Sequence, residues 1–321
     1  MNDLLCQYRN ELMGIATIFI LLGHTIFYSH GVISYGFLTD IITLGYSGVD
    51  IFLLLSGFGL VYSMKKNSII EFYKRRTIRI LPSVIGIICI YCLCNYKSVG
   101  LYYFNPLFWY QRYWYLGFII IAYLLFPYLY KFLTLNRTKE LWYMLVGFSL
   151  ITLTFMYYQN MAINCNPYMC SISRIPIFCI GSCIAMKKYP LLENKYFRIS
   201  TLLIGVLLLL PFYILNDLGG NTTFTTYYHF VLIIPPMLYY LCKIIEKSSI
   251  LTRTSLSTIG KYSLEIYLIQ VTIMPRLISQ TLNHFSNTLL ILVISILPVI
   301  IVSLIFHFFT EKTSIILKNI L

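Results

Sequence analysis

The chain has 321 residues, of which 59% are hydrophobic and 11% charged, and its mean hydropathy is +0.77. Soluble domains carry about a quarter charged residues, so this composition excludes a soluble enzyme or binding domain and indicates a polytopic membrane protein. The formal net charge of +13 does not indicate nucleic acid, because the basic residues follow alternate loops rather than forming a patch.

Ten apolar segments, each near the roughly 20 residues that cross about 30 Å of hydrocarbon, run at 12–30, 41–63, 79–96, 113–132, 141–159, 171–186, 200–216, 225–242, 258–275 and 288–309. They fill the chain, so a single domain over 1–321 is expected, all-α, as a transmembrane bundle of about ten helices. Basic residues gather around Arg9 and in the stretches 65–79, 131–139, 187–198, 243–261 and 312–318, whereas Lys97, Arg112 and Arg276 fall on the other side. That asymmetry predicts both termini in the cytoplasm and an even number of spans.

In the first segment, His24 lies about one turn short of the outer end. No small-residue cleavage site follows that segment, so it is expected to stay as the first helix. An ionisable group in hydrocarbon is costly and faces a bundle interior or a wet cavity, in a functional or a structural role. Asp50 lies at a comparable depth in the antiparallel second segment. A carboxylate on one imidazole nitrogen would fix the tautomer and leave the other basic, which is the logic of a general base. Around it, Ser47, Gly48, Ser56, Gly57 and Gly59 offer close approach to a neighbouring helix or a thin ligand.

Between the second and third segments, Phe72, Tyr73, Arg76, Ile80 and Leu81 recur near helical spacing, predicting an amphipathic helix on the inner surface before the chain enters the membrane at Pro82. The loop from Asn95 to Arg112 is rich in aromatic residues, as an interfacial belt or as a sugar-stacking lip. Asn136-Arg137-Thr138 fits a glycosylation sequon on the inner side, where it is inert. Cys165 and Cys170 share an outer loop and are a candidate pair in an oxidising compartment.

Further on, Arg174 beside Pro176 predicts a locally opened helix that carries a cation, to be satisfied by an anionic ligand or by an ion pair with Asp50 or Glu265. His229 and Glu265 are the remaining ionisable groups in apolar segments. The sequence has no internal repeat, no Gly-rich nucleotide loop and no HExxH or GxSxG motif, which argues against an ATP-driven pump and common hydrolases. The cysteines show no metal-ligand spacing, so no metal is expected.

Several stretches together carry a resemblance. Tyr8 to His24, Gly48-Val-Asp50-Ile-Phe-Leu-Leu-Leu-Ser56-Gly57-Phe58 and Lys74-Arg75-Arg76-Thr-Ile-Arg79-Ile-Leu-Pro82 occur in order. Trp114-Tyr-Leu, Arg174-Ile-Pro-Ile-Phe178-Cys-Ile-Gly181 and Gly260-Lys-Tyr-Ser263-Leu-Glu-Ile-Tyr267 follow them. The chain resembles the acyltransferase-3 family of integral membrane O-acyltransferases, which includes bacterial surface-carbohydrate O-acetyltransferases.

The resemblance implies transfer of an acyl group, commonly acetyl, from acetyl-CoA or another acyl-CoA to a hydroxyl of an envelope or exported carbohydrate, in the bacterial inner membrane. It implies His24 as the essential base or as an acyl-carrying relay, Asp50 as its partner, and Arg75, Arg76 and Arg79 as ligands of the CoA phosphates. Arg174, Glu265 and Trp114 are candidates for holding the acceptor or the oxyanion. The expected partners are membrane lipids, acyl-CoA and a carbohydrate acceptor, without nucleic acid, and a homo-oligomer stays open. Two positions depart from the family pattern: Met13 stands where an arginine is usual, and Gln270 where a histidine is frequent. The rival reading is a transporter or flippase of a lipid-linked or small polar substrate, with His24, Asp50 and Arg174 along its path.

Overall fold

The computed structural model describes residues 1–94, 105–135, 146–148, 167–217, 226–285 and 287–320. In chain order the helices are α1 (Asn2–Gln7), α2 (Arg9–Tyr28), α3 (Thr39–Thr43), α4 (Gly48–Lys66), α5 (Ile69–Cys94), α6 (Pro106–Arg112) and α7 (Trp114–Leu135). Then come α8 (Pro167–Ile172), α9 (Ile175–Ala185), α10 (Lys195–Asp217), α11 (Thr226–Lys247), α12 (Ile250–Lys261), α13 (Ser263–His284) and α14 (Thr288–Ile320). No strand occurs among the described residues.

Among the described residues five helical stretches, Arg9–Tyr28, Thr39–Lys66, Ile69–Leu93, Trp114–Leu135 and Thr288–Ile320, are long and apolar enough to cross a membrane, and the shorter Cys170–Ala185 is apolar as well. Their outward surfaces are apolar too: Leu289, Val293, Leu297, Ile301, Leu304 and Phe308 of α14 and Leu124 and Leu125 of α7 are exposed. A bundle apolar both inside and out suits a hydrocarbon solvent, in which every backbone group must be satisfied within its own helix. The expected segment 141–159 lies almost wholly outside the described residues, as do most of the Asn95 to Arg112 loop, the Asn136 sequon and Cys165.

α4 is the central helix, with Leu53, Leu54, Leu55, Phe58, Leu60 and Val61 all within 1% exposure. Its closest partner is α9. The approach depends on reciprocal glycines: a Cβ at Gly57 would overlap the Phe178 carbonyl, and one at Gly181 the Leu54 carbonyl. A second tight pair, α12 on α2, uses Gly260 against the Asn10 carbonyl and Gly14 against that of Leu256. Much of the small-residue pattern in the second segment therefore serves helix packing, the arrangement that replaces a hydrophobic drive between helices in lipid.

The stretch 65–82 differs from expectation. α5 runs without interruption from Ile69 to Cys94 through Pro82, so there is no separate surface helix ahead of the third span. Proline lacks an N–H and would leave the carbonyl four residues back unsatisfied. That carbonyl belongs to Ile78, and Ser314 of α14 donates its hydroxyl to it at 3.0 Å. Pro275 repeats the device: Val271, four residues earlier, accepts from Arg112 Nη2 at 3.4 Å. The segment expected at 258–275 is likewise two helices, α12 and α13, divided at Tyr262.

Candidate active site

α2, α4, α5, α7 and the start of α13 enclose a cavity of about 420 Å³. The end nearest the start of α2 is lined by Cys6, Arg9, Gly59, Tyr62, Lys66, Arg76, Arg79 and Tyr123. Toward the other end the walls become Met13, Phe52, Ser56, Tyr115, Leu116, Ile119 and Tyr267, closing at Ile20 and Val49. Along α2 the distance from Arg9 to Ile20 is about 16 Å at 1.5 Å per residue.

Four cations line this space and no carboxylate does. Arg76 sits over the rings of Phe72 and Tyr123, each 5.4 Å from the guanidinium carbon. Its Nε is buried without a hydrogen-bond partner. Arg9, at the first position of α2, lies within electrostatic range of Arg79 and Arg76. Uncompensated guanidiniums facing one another across a partly apolar chamber repel, and a bound polyanion removes that cost.

The family resemblance implies Arg75, Arg76 and Arg79 together as ligands of the donor phosphates. The structure separates them: Arg75 is exposed and bonds Glu71 Oε1 at 2.8 Å, one turn back on the same helix. Adjacent helical residues point about 100° apart, and the Glu71 to Arg75 spacing was a legible sign of a surface pair. Arg9 takes its place in the cavity. The signal for Arg9 was also present, since Arg9, Met13, Ile20 and His24 recur on one stripe of α2. Tyr115, within the Trp114-Tyr-Leu motif, continues into Ile119 and Tyr123 as the matching stripe on α7.

Asp50 and Arg174 meet in the interior. Arg174 Nε lies 3.2 Å from Asp50 Oδ1, with both side chains 1% exposed. Arg174 lies at the break between α8 and α9, immediately before the first residue of α9. Arg174 Nη1 donates to the Cys170 carbonyl at 3.1 Å, Nη2 to the Tyr46 carbonyl at 3.5 Å, and the guanidinium sits over the Trp114 ring at 5.1 Å. Three residues singled out separately thus form one cluster, and the ion pair is with Asp50 rather than Glu265.

The expected hydrogen bond from the His24 imidazole to the Asp50 carboxylate is not made. His24 Nδ1 is buried and has no hydrogen-bond partner. A fully charged buried guanidinium outcompetes a neutral imidazole for one carboxylate, because an unpaired buried cation is far costlier. The His24 ring packs on Tyr28, centroid to centroid 5.3 Å. Tyr28 in turn is within electrostatic range of Tyr267, which lines the cavity. His24 therefore stands one helical turn beyond Ile20, where the cavity ends.

Glu265 faces away from this space. Its Oε1 lies 3.4 Å from His307 Nδ1 and accepts from Thr310 Oγ1 at 3.3 Å, so it joins α13 to α14. Gln270 is buried at 1% exposure with its Oε1 unpartnered. Of the aromatic residues on α6, Tyr110 stacks on Tyr168 at 5.0 Å and bonds Ser171, and Trp109 stacks on Tyr113 at 6.0 Å, so these rings pack internally. The His229 side chain is outside the described set. Among the described residues no three His, Cys, Asp or Glu side chains gather as metal ligands do.

No curated protein and no solved structure matches the chain. A family model described as an acyltransferase domain, acyltransferase-3, matches residues 12–308, a span that contains His24, Asp50, Arg174 and all of the cavity except Cys6 and Arg9. The chain, a polytopic all-α membrane protein, belongs to the acyltransferase-3 family.

Proposed function

We propose that the protein transfers an acyl group, acetyl in the first instance, from acyl-CoA to a hydroxyl of a cell-surface or exported carbohydrate, in a bacterial inner membrane with both termini cytoplasmic. One observation carries the reading: four cations and no carboxylate line the cavity at its Arg9 end, and mostly apolar side chains line it from Met13 to Ile20, one turn from His24. That gradient fits a donor with a phosphorylated head and a long thioester arm. A small cation or a neutral solute would gain nothing from it.

In this reading Arg76 and Arg79 hold donor phosphates through charge-assisted bonds, and the arm follows α2 past Met13 and Phe52. The acceptor hydroxyl approaches His24 from the other side. The imidazole takes the hydroxyl proton as the oxygen attacks the thioester carbonyl. The C–S bond breaks, the ester forms, and the imidazolium returns its proton to the departing thiolate. Asp50 acts through Arg174, locking α9 to α4 and presenting the Trp114 face, and not as the orienter of His24. The apolar walls exclude water that would hydrolyse the thioester.

The test is label transfer from acetyl-CoA to carbohydrate in membranes that contain the protein. The wild type transfers label, and His24→Ala loses about 10²- to 10⁴-fold in rate with its unfolding temperature unchanged. Near-normal transfer by that variant would remove His24 from the chemistry. Carbohydrate translocation without acylation would establish the transporter instead.

A further inference from the structure

We infer that Arg9 is a phosphate ligand of the donor, supplying from the first position of α2 the positive charge that Met13, on the same cavity wall, cannot. The inference rests on the acyl-CoA reading of the cavity, in which Arg76 and Arg79 hold the phosphates, and adds a third ligand to them.

Arg9 and Met13 are four residues apart on α2 and both line the cavity. At that spacing they lie one above the other on a helix face. Arg9 is half-buried, and its hydrogen bonds among the described residues are two long ones, from Nε at 3.4 Å and Nη2 at 3.5 Å, both to the Leu55 carbonyl. A guanidinium has five N–H donors in a fixed fork, so these contacts leave most of its capacity for a ligand while aiming it across the chamber. Its charged neighbours there are Arg79 and Arg76, and no acidic side chain lines the cavity to neutralise it.

Gly59 completes the arrangement. A Cβ at that position would come within 3.3 Å of Arg9 Nη2 and 3.4 Å of Nε. The bare backbone of α4 is therefore the floor on which this guanidinium lies. Two helices contribute to the placement, one with the charge and one with the space.

The experiment measures binding of tritiated acetyl-CoA to the purified full-length protein in detergent, with KM and kcat for transfer read alongside. Arg9→Ala raises the dissociation constant and KM by about tenfold to a hundredfold, the range for one charge-assisted bond to phosphate, and leaves kcat within about twofold. Adding Met13→Arg restores binding to within about fivefold of wild type, because the new guanidinium enters the same chamber one turn up. Gly59→Val weakens binding when Arg9 is present and has little further effect in the Arg9→Ala background, as expected for two residues acting as a unit. Wild-type affinity in Arg9→Ala overturns the inference and leaves the cavity reading intact. A loss that Met13→Arg does not restore also overturns it, since Arg9 would then act by bracing α4 at Leu55. Failure of the wild type itself to bind acetyl-CoA overturns the donor reading and this inference together.

Discussion

The Asp50 and Arg174 pair and the basic lining of the cavity are built in opposite ways. At Asp50 and Arg174 every charge has a counter-charge: the guanidinium is paired, bonded to two carbonyls, laid over Trp114 and sealed at 1% exposure. The cavity is lined by the half-buried Arg9 and Arg76 and by the more exposed Arg79 and Lys66, with no carboxylate among its walls. A compensated charge holds helices in place, whereas an uncompensated set costs stability and is retained where a ligand offsets it. The difference separates residues that build the site from residues that wait for a substrate, although both kinds look alike in sequence as ionisable groups in apolar segments.

The contrast is broken most severely at the paired cluster. Arg174→Met strands the Asp50 carboxylate in the interior and should cost about 3–5 kcal/mol, the usual penalty for halving a buried pair. Thermal unfolding in detergent reads it. Adding Asp50→Asn removes the stranded charge and should recover most of that loss, and no recovery would mean that the pair is not what joins α9 to α4. The cavity responds differently. Arg76→Ala should weaken acyl-CoA binding about tenfold to a hundredfold and leave unfolding unchanged or slightly improved, because it relieves repulsion. A drop in stability equal to that of Arg174→Met would erase the distinction between the clusters.

Smaller changes sharpen the comparison. Ser314→Ala leaves the Ile78 carbonyl opposite Pro82 unsatisfied and should cost about 1 kcal/mol with donor affinity unaffected. An unchanged melting curve would show that the carbonyl finds another partner. Least of all, Arg75→Ala removes an exposed pair with Glu71 and should alter neither unfolding nor the KM for acyl-CoA. A raised KM would return Arg75 to the donor site.

Much of this was legible in the residues. Hydropathy alone marks the five long apolar stretches found among the described residues, and a pair with Asp50 is one of the partners the apolar context allows Arg174, beside Glu265 and an anionic ligand. What stayed hidden depended on three-dimensional competition. Sequence depth placed Asp50 near His24, but depth does not say that Arg174, more than a hundred residues later, claims the carboxylate first. Pro82 reads as a helix boundary until Ser314, from the far end of the chain, supplies the missing donor. Arg75, Arg76 and Arg79 are one basic run in sequence and two faces on a helix. Arg9 is the nearest basic residue to Met13 in sequence, but only the packing of α2 against α4 and α5 brings it into one cavity with Arg76 and Arg79.

The central claim, that the basic cavity is the acyl-CoA site, is tested most directly at Cys6. This cysteine is exposed and lines the cavity mouth, whereas Cys89 is exposed on α5 away from the cavity. The measurement is the rate of iodoacetamide modification at both residues of the full-length protein, followed by mass spectrometry over a range of acetyl-CoA concentrations. The account predicts saturable protection of Cys6 with Cys89 unaffected. Equal rates at Cys6 with and without saturating acetyl-CoA would contradict it.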